Sequence, residues 1–295
     1  MKSGLIVVNK EAGFTSFDVV AKARGILHMK KIGHTGTLDP SATGVLPIVL
    51  GKATKAVNYI EDHDKTYVCG FFLGKTTDTY DGDGSVVSTS KKVITKEEFL
   101  NKMSSFIGKQ LQIPPMYSAK KINGKKLYEL AREGKEVERK PEHIEIYSLK
   151  LLSFDFPYGK MEVCCSKGTY IRSLIYDIGN SLGCGAYMTS LIRTKACGFS
   201  LNESYTLAQL EKLRDEERIE DIIHPIDTLF SYEKVYGKSE SDKLIENGNK
   251  IPFELVEEQK GRVGDFVSLY HPNKKFAGIY KTLDGYYKPE KFFLE

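Results

Sequence analysis

Apolar residues recur along this chain in two rhythms, short unbroken runs and helical stripes. Leu5-Ile6-Val7-Val8 is a run of the first kind, which predicts a strand buried on both faces. VLPIVL at 45–50 predicts a second buried strand, and YVCGFFL at 67–73 a third, rich in residues that suit a pleated surface. Between the first two, Thr15-Ser16 is a capping pair ahead of a helix whose apolar face takes in Phe17, Val20 and Ile26. Later, 161–166 predicts a strand and KGTY a junction. Ile171, Leu174, Ile175, Ile178 and Leu182 then share one face of a helix that Gly183 ends. TTDTYDGDGS at 76–85 is a turn between strands, and His224-Pro225-Ile226-Asp227 is a connection. Past it, Gly248, Gly261, Gly264, Gly278 and Gly285 punctuate short strands. The pattern predicts a mixed domain over 1–230 and a small β-rich domain over 231–295, with no internal repeat.

Composition narrows the class. At 41% hydrophobic and 28% charged over 295 residues, the chain can bury a real core. No stretch approaches the ~20 apolar residues of a membrane span. Met1-Lys2-Ser3-Gly4 leads straight into the first strand rather than into a signal peptide, so the expectation is a cytoplasmic protein without a membrane partner. Cys69, Cys164, Cys165, Cys184 and Cys197 form no CxxC pair and the six histidines are scattered, so free and mostly buried thiols are expected, with no zinc and no disulfide framework.

Charge adds a location. The formal net charge is +4, and residues 117–140 alone hold eight Lys/Arg against four Glu, 8 − 4 = +4. Such a run is either a solvated helical face or an arm for phosphate. Tyr117, Tyr128 and an early NGKK turn beside Lys120, Lys121, Lys125 and Lys126 favour the arm.

Several familiar motifs fail. GFFLGKTT places three residues between Gly70 and Gly74 where a phosphate loop has four, and GVLPIVLGKATK fails likewise. Asp81-x-Asp83-x-Ser85 is followed by Val86 where a calcium loop has glycine. No GxSxG, HExxH or GxGxxG occurs. What remains is HTGTLDPSATG at 34–44, a polar loop just before a buried strand. Pro40 keeps Asp39 out of helical geometry, and Gly36 and Gly44 free the backbone for close approach. Arg172 stands in the first turn of its helix, where the macrodipole disfavours a cation by ~0.3–1 kcal/mol unless an anion is near. Either an RNA phosphate or a loop carboxylate would serve, and a carboxylate so paired would be kept ionised, its pKa lowered by about 1–3.

GHTGTLDPSATGVLPIVLGKATK resembles, almost residue for residue, the signature of the TruB family of bacterial tRNA pseudouridine synthases. Further stretches agree in order: GLIVVNKEAGFTS at 4–16, KTYVCGFFLGKTTDTYDGDG at 65–84, PPMYSAKKINGKKLYELAREG at 114–134 and CSKGTYIRSLIYDIG at 165–179. The likeness covers most of 3–230. It implies an α+β fold, a mixed and mainly antiparallel catalytic sheet followed by a small PUA-like domain. It also implies isomerisation of uridine 55 in the tRNA T-loop without metal or cofactor, with the base flipped out of the RNA; no dimer signature is visible in the sequence, so a monomer is the default expectation. Carried over by position, Asp39 matches the catalytic aspartate, Tyr67 a stacking tyrosine proposed as a base, and Arg172 the partner of the carboxylate. Tyr170 matches a residue touching the flipped uridine, Leu191 in SLIRTKACGF an apolar wall, and His34 the histidine that enters the RNA. Lys10 and Lys55 match family lysines that either bind phosphate or support the fold, which makes them candidates with Lys120, Lys121, Lys125 and Lys126 for the RNA backbone.

Two departures stand out. Residues 10–13 read KEAG where many relatives have KPxG, and residues 231–295 carry 11 Lys/Arg against 11 Asp/Glu, an electroneutral balance that argues against a strong grip on phosphate. A binding module that opens and refolds tRNA without chemistry is the alternative from another class. The guide-RNA-dependent relatives are a third reading, against which the compact chain without long basic tails favours a stand-alone enzyme.

Overall fold

The computed structural model describes residues 3–60, 62–122 and 124–293. Met1 and Lys2 of the leading stretch and Asn123 of the NGKK turn lie outside them. The chain opens with β1 (Gly4–Lys10), α1 (Ser16–Ile26), β2 (Ile32–His34) and β3 (Thr43–Leu50). Next come β4 (Lys65–Leu73), β5 (Lys75–Thr77), β6 (Val86–Thr89), α2 (Lys96–Ser104) and β7 (Gly108–Gln112). The basic segment folds as β8 (Lys121–Ile122), β9 (Lys125–Lys126) and α3 (Leu127–Arg132). The remainder of the first part is β10 (Glu142–Asp155), β11 (Tyr158–Cys165), α4 (Ile171–Ser181), β12 (Ala186–Ala196), β13 (Phe199–Ser200) and α5 (Leu207–Asp215).

Seven strands run in the order β1-β3-β12-β4-β11-β10-β7, with β2 on β3 and β13 on β12 completing a nine-stranded sheet. Every pairing in it is antiparallel except β12 with β3. Alternation along β1 explains why its run of apolar residues is unbroken: Ile6 and Val8 enter one core with α1 and α4, whereas Leu5 and Val7 enter another on the opposite face.

The α1 helix starts as the capping pair predicts, with Thr15 and Asp18 forming a reciprocal capping box. Its buried face is Ser16, Val19, Val20, Ala23 and Ile26. Phe17 departs from expectation: it is 63% exposed, with the Arg24 guanidinium over its ring. The inward stripe begins at Ser16, which turns its neighbour out to solvent. All five cysteines are free, and all but Cys164 are buried.

Beyond 231 the chain forms β14 (Glu233–Tyr236), α6 (Asp242–Glu246), β15 (Ile251–Pro252), β16 (Phe266–Tyr270), β17 (Phe276–Leu283) and β18 (Tyr286–Phe292). Its five strands run β14-β16-β17-β18-β15 and enclose a core of their own, including Val267, Leu269 and Tyr287. Ile279 and Phe293 instead join Leu5, Val7, Val45 and Val49, so this sheet covers the back of the nine-stranded one.

Candidate active site

The loop between β2 and β3 carries Asp39, and four residues clamp its backbone. Ser16, the first residue of α1, both accepts from the Leu38 N–H at 2.8 Å and donates to its carbonyl at 3.2 Å. Lys10 Nζ donates to Pro40 O at 3.1 Å, and the Gly13 N–H reaches the same oxygen at 2.9 Å. Arg193 donates to Val45 O at 2.6 Å, Gly36 O at 3.1 Å and Thr37 O at 3.5 Å. Gly44 has φ +104, and a Cβ there would lie 2.2 Å from Arg193 O, so glycine is what lets β3 pair with β12. At Gly36, by contrast, a Cβ would meet its nearest neighbour within the protein, Lys65 Cε, at an ordinary 3.6 Å, so no contact inside the fold demands glycine there.

Arg172 lies at the start of α4 and is buried. Its guanidinium meets Asp39 Oδ2 at 3.0 Å, Asp81 Oδ2 at 3.3 Å, Tyr117 O at 2.9 Å and Thr79 O at 3.3 Å. Sequence called for one anion, and the structure supplies two carboxylates. Asp81 is in turn held by Thr79 Oγ1 at 2.5 Å and the Asp83 N–H at 3.1 Å, so the turn at 76–85 is a brace for the arginine.

The carboxyl of Asp39 is 36% exposed, open to the cleft and enclosed on its other sides. That enclosure raises its pKa above the ordinary carboxyl value, Arg172 draws it back, and Asp81 adds to the rise. The expectation of a lowered pKa counted the guanidinium and omitted desolvation, which is the larger effect here. Burial also pushes the Tyr67 phenol up to about 12. It stays protonated at neutral pH and can stack on a base and donate a hydrogen bond.

Asp39, Tyr67, Tyr170, Arg172, Leu191 and Lys120 all line one cleft of about 470 Å³, within the usual range for a small-ligand site. Tyr67 lies opposite Arg193, and Leu191 opposite Cys69, in the β4–β12 register, which puts Tyr67 and Leu191 on one face of the sheet. Tyr170 caps α4, its peptide fixed by Gln112, which accepts from the Tyr170 N–H at 2.8 Å and donates to its carbonyl at 3.1 Å.

Other expected residues lie elsewhere. Lys10, for which phosphate and the fold were both open, is 1% exposed and spends its ammonium on Pro40 O and Glu11 O, which fits support of the fold and not contact with RNA; its pKa falls to about 8. His34 pairs with Ile48 in the β2–β3 ladder and does not line the cleft; burial lowers its pKa. Lys55 is exposed in a single turn after β3. On the arm, Lys120 pairs with Glu142, and Lys126 Nζ donates to Tyr128 Oη at 3.2 Å. Lys121 and Lys125 are exposed, Lys125 lying 3.8 Å from Glu133.

The TruB family pseudouridylate synthase N-terminal domain matches residues 24–171, and the tRNA pseudouridylate synthase B C-terminal domain matches 172–231. The chain belongs to the TruB family. It is a pseudouridine synthase, an isomerase whose substrate is RNA. Among its TruB relatives, the tRNA pseudouridine synthase B of Clostridium kluyveri is 45% identical over 294 residues, 99% of both chains. That of Clostridium tetani is 45% identical over 287 residues, covering 96% of this chain and 97% of its own, and that of Dehalococcoides mccartyi 40% over 295, covering 99% and 97%. A chain of a solved H/ACA RNP bound to a substrate RNA containing 2′-deoxyuridine shares the TruB fold with a TM-score of 0.77 at 24% identity, over 99% of this chain and 85% of that one. A chain of a Cbf5–Nop10–Gar1 complex matches with a TM-score of 0.76 at 26% identity, with the same coverage.

Sequence reasoning missed Asp81, Gln112 and Arg193. Asp81 sits in a motif rejected as a calcium loop, and its role comes from a contact across the fold. Arg193 stands two residues after Leu191 inside a strand, and a charged residue amid SLIRTKACGF was the available signal.

Proposed function

We propose that the chain is a tRNA pseudouridine synthase that converts uridine 55 of the T-loop, using Asp39 as its catalytic carboxylate. The reading rests on one observation: an arginine-held carboxylate facing a cleft whose walls include Tyr67, Tyr170 and Leu191. A uracil enclosed in a folded loop is out of reach, so the nucleotide swings out at a cost of a few kcal/mol, offset by stacking on the aromatic walls. The reaction breaks the N1–C1′ bond and forms a C5–C1′ bond; C5 loses its proton and N1 gains one. Attack on C1′, addition to C6 and passage through a glycal each call on an ionised carboxylate near C1′ or C6 of the target nucleoside. Arg172 holds that carboxylate in place. Tyr67 stacks on the base, and Tyr170 and Leu191 close around it.

Extruding the base opens the T-loop, which gives the same protein a tRNA-folding role that depends on binding and not on Asp39. Incubation with T-stem-loop RNA carrying tritium at C5 of the target uridine alone tests the reading. Stoichiometric tritium release is expected. No release, or equal release when the label sits at another loop uridine, overturns it.

A further inference from the structure

Ser118 lines the cleft together with Asp39, Tyr67 and Tyr170 and is only 5% exposed. Its backbone is fully engaged: the N–H donates to Met116 O at 3.0 Å, and the carbonyl accepts from the Tyr128 N–H at 3.1 Å. Its side chain is not. Oγ is shielded from solvent and has no hydrogen-bond partner among the described residues. Of the buried side-chain atoms in that condition, among them Arg24 Nε, His34 Nδ1 and Tyr280 Oη, only Ser118 Oγ belongs to a residue of the cleft.

Buried polar atoms are nearly always paired, and a hydroxyl left single in a fold costs free energy that alanine would spare. Position sharpens the point. The Tyr117 carbonyl, one residue away, accepts from the same Arg172 guanidinium that holds Asp39, so the backbone carrying Ser118 is tied to the acid. Ser118 also opens the basic segment, so RNA seated on that segment would bring its reactive nucleotide to this wall.

We propose that Ser118 is a substrate-contacting residue whose Oγ, turned from its shielded position into the cleft by rotation about the Cα–Cβ bond, hydrogen-bonds an oxygen of the flipped nucleotide, a uracil carbonyl or a ribose hydroxyl, and fixes it against Asp39. This rests on the reading of the cleft as the seat of a flipped uridine. A cleft that keeps a spare hydroxyl for its substrate discriminates against nucleotides that leave the hydroxyl unpaired.

Single-turnover conversion of T-stem-loop RNA by wild type, Ser118→Ala and Ser118→Thr, with RNA affinity and Tm measured alongside, tests it. The target position carries uridine, 2-thiouridine, 4-thiouridine or 2′-deoxyuridine. Ser118→Ala is expected to react about ten- to a hundredfold more slowly. Its RNA affinity should stay within about threefold and its Tm at or above that of wild type, with Ser118→Thr recovering most of the rate. One analogue should slow wild type as much as the alanine does and slow Ser118→Ala no further, which names the oxygen. Wild-type rates in Ser118→Ala, undiminished penalties for every analogue, or a loss of affinity and Tm in step with rate would each overturn the inference. If wild type itself leaves the RNA unconverted, the reading of the cleft falls and takes the inference with it. If wild type converts it and Ser118→Ala keeps pace, only the inference falls.

Discussion

At Asp39, burial and the Asp81 charge act against the Arg172 and Lys10 charges, and the balance raises the carboxyl pKa. A base or nucleophile must be ionised, so the rate falls as pH drops through that raised pKa. The acid limb of the single-turnover pH profile therefore lies above 3.8, the ordinary value for an aspartate. Lys10→Met removes a cation that favours the ionised form, so the limb moves to higher pH. A limb that stays put or moves down would show that Lys10 does not act on Asp39. Asp39 and Arg172 could be read in sequence because each is odd where it stands, an acid before proline and a cation at a helix N-terminus. Lys10 could not be assigned from sequence to phosphate or to the fold, because only its contacts across the structure show that its ammonium serves two backbone carbonyls. Asp81 had no local signal at all.

Among the elements, the loop between β2 and β3 is set by cations and glycine rather than by its own turn chemistry. Arg193 holds three carbonyls, and a buried carbonyl deprived of its donor costs about 1–3 kcal/mol. Gly44→Ala drives a Cβ into the β12 backbone at a φ that L-residues avoid, and should cost about 3 kcal/mol or more. Gly36→Ala meets only ordinary contacts and should stay within about 1 kcal/mol of wild type. Denaturant unfolding of the pair decides between them, and equal effects would refute the close-approach argument. The strands on either side of this loop were legible from their apolar runs. The parallel β3–β12 pairing was not, since it joins segments some 150 positions apart.

Over the whole molecule, the basic excess belongs to one arm and the C-terminal sheet is a cover. Lys120 and Lys126 are partly buried and paired within the protein, whereas Lys121 and Lys125 are exposed, Lys125 only 3.8 Å from Glu133 at the limit of an ion pair. Replacing Lys121 and Lys125 with Gln should lower the salt slope of RNA binding by about 1.4–1.8, two phosphate contacts at ~0.7–0.9 each. An unchanged slope removes the arm from the interface. The β-rich composition of 231–295 was plain from sequence, but its role as a cover was not, because Ile279 and Phe293 become core residues only against Leu5 and Val7. A chain ending at residue 230 should melt well below the full-length protein and expose apolar surface to dye binding. A truncated chain with full-length Tm would contradict the shared core.

The central claim is that one carboxylate performs the chemistry while other groups seat the RNA. Asp39→Asn keeps the size of the side chain and removes its charge. Single-turnover tritium release and RNA affinity, measured on the same Asp39→Asn preparation, test the claim most directly. No detectable release is expected, with affinity within about tenfold of wild type; release at the wild-type rate would show that the Asp39 carboxylate does not perform the chemistry.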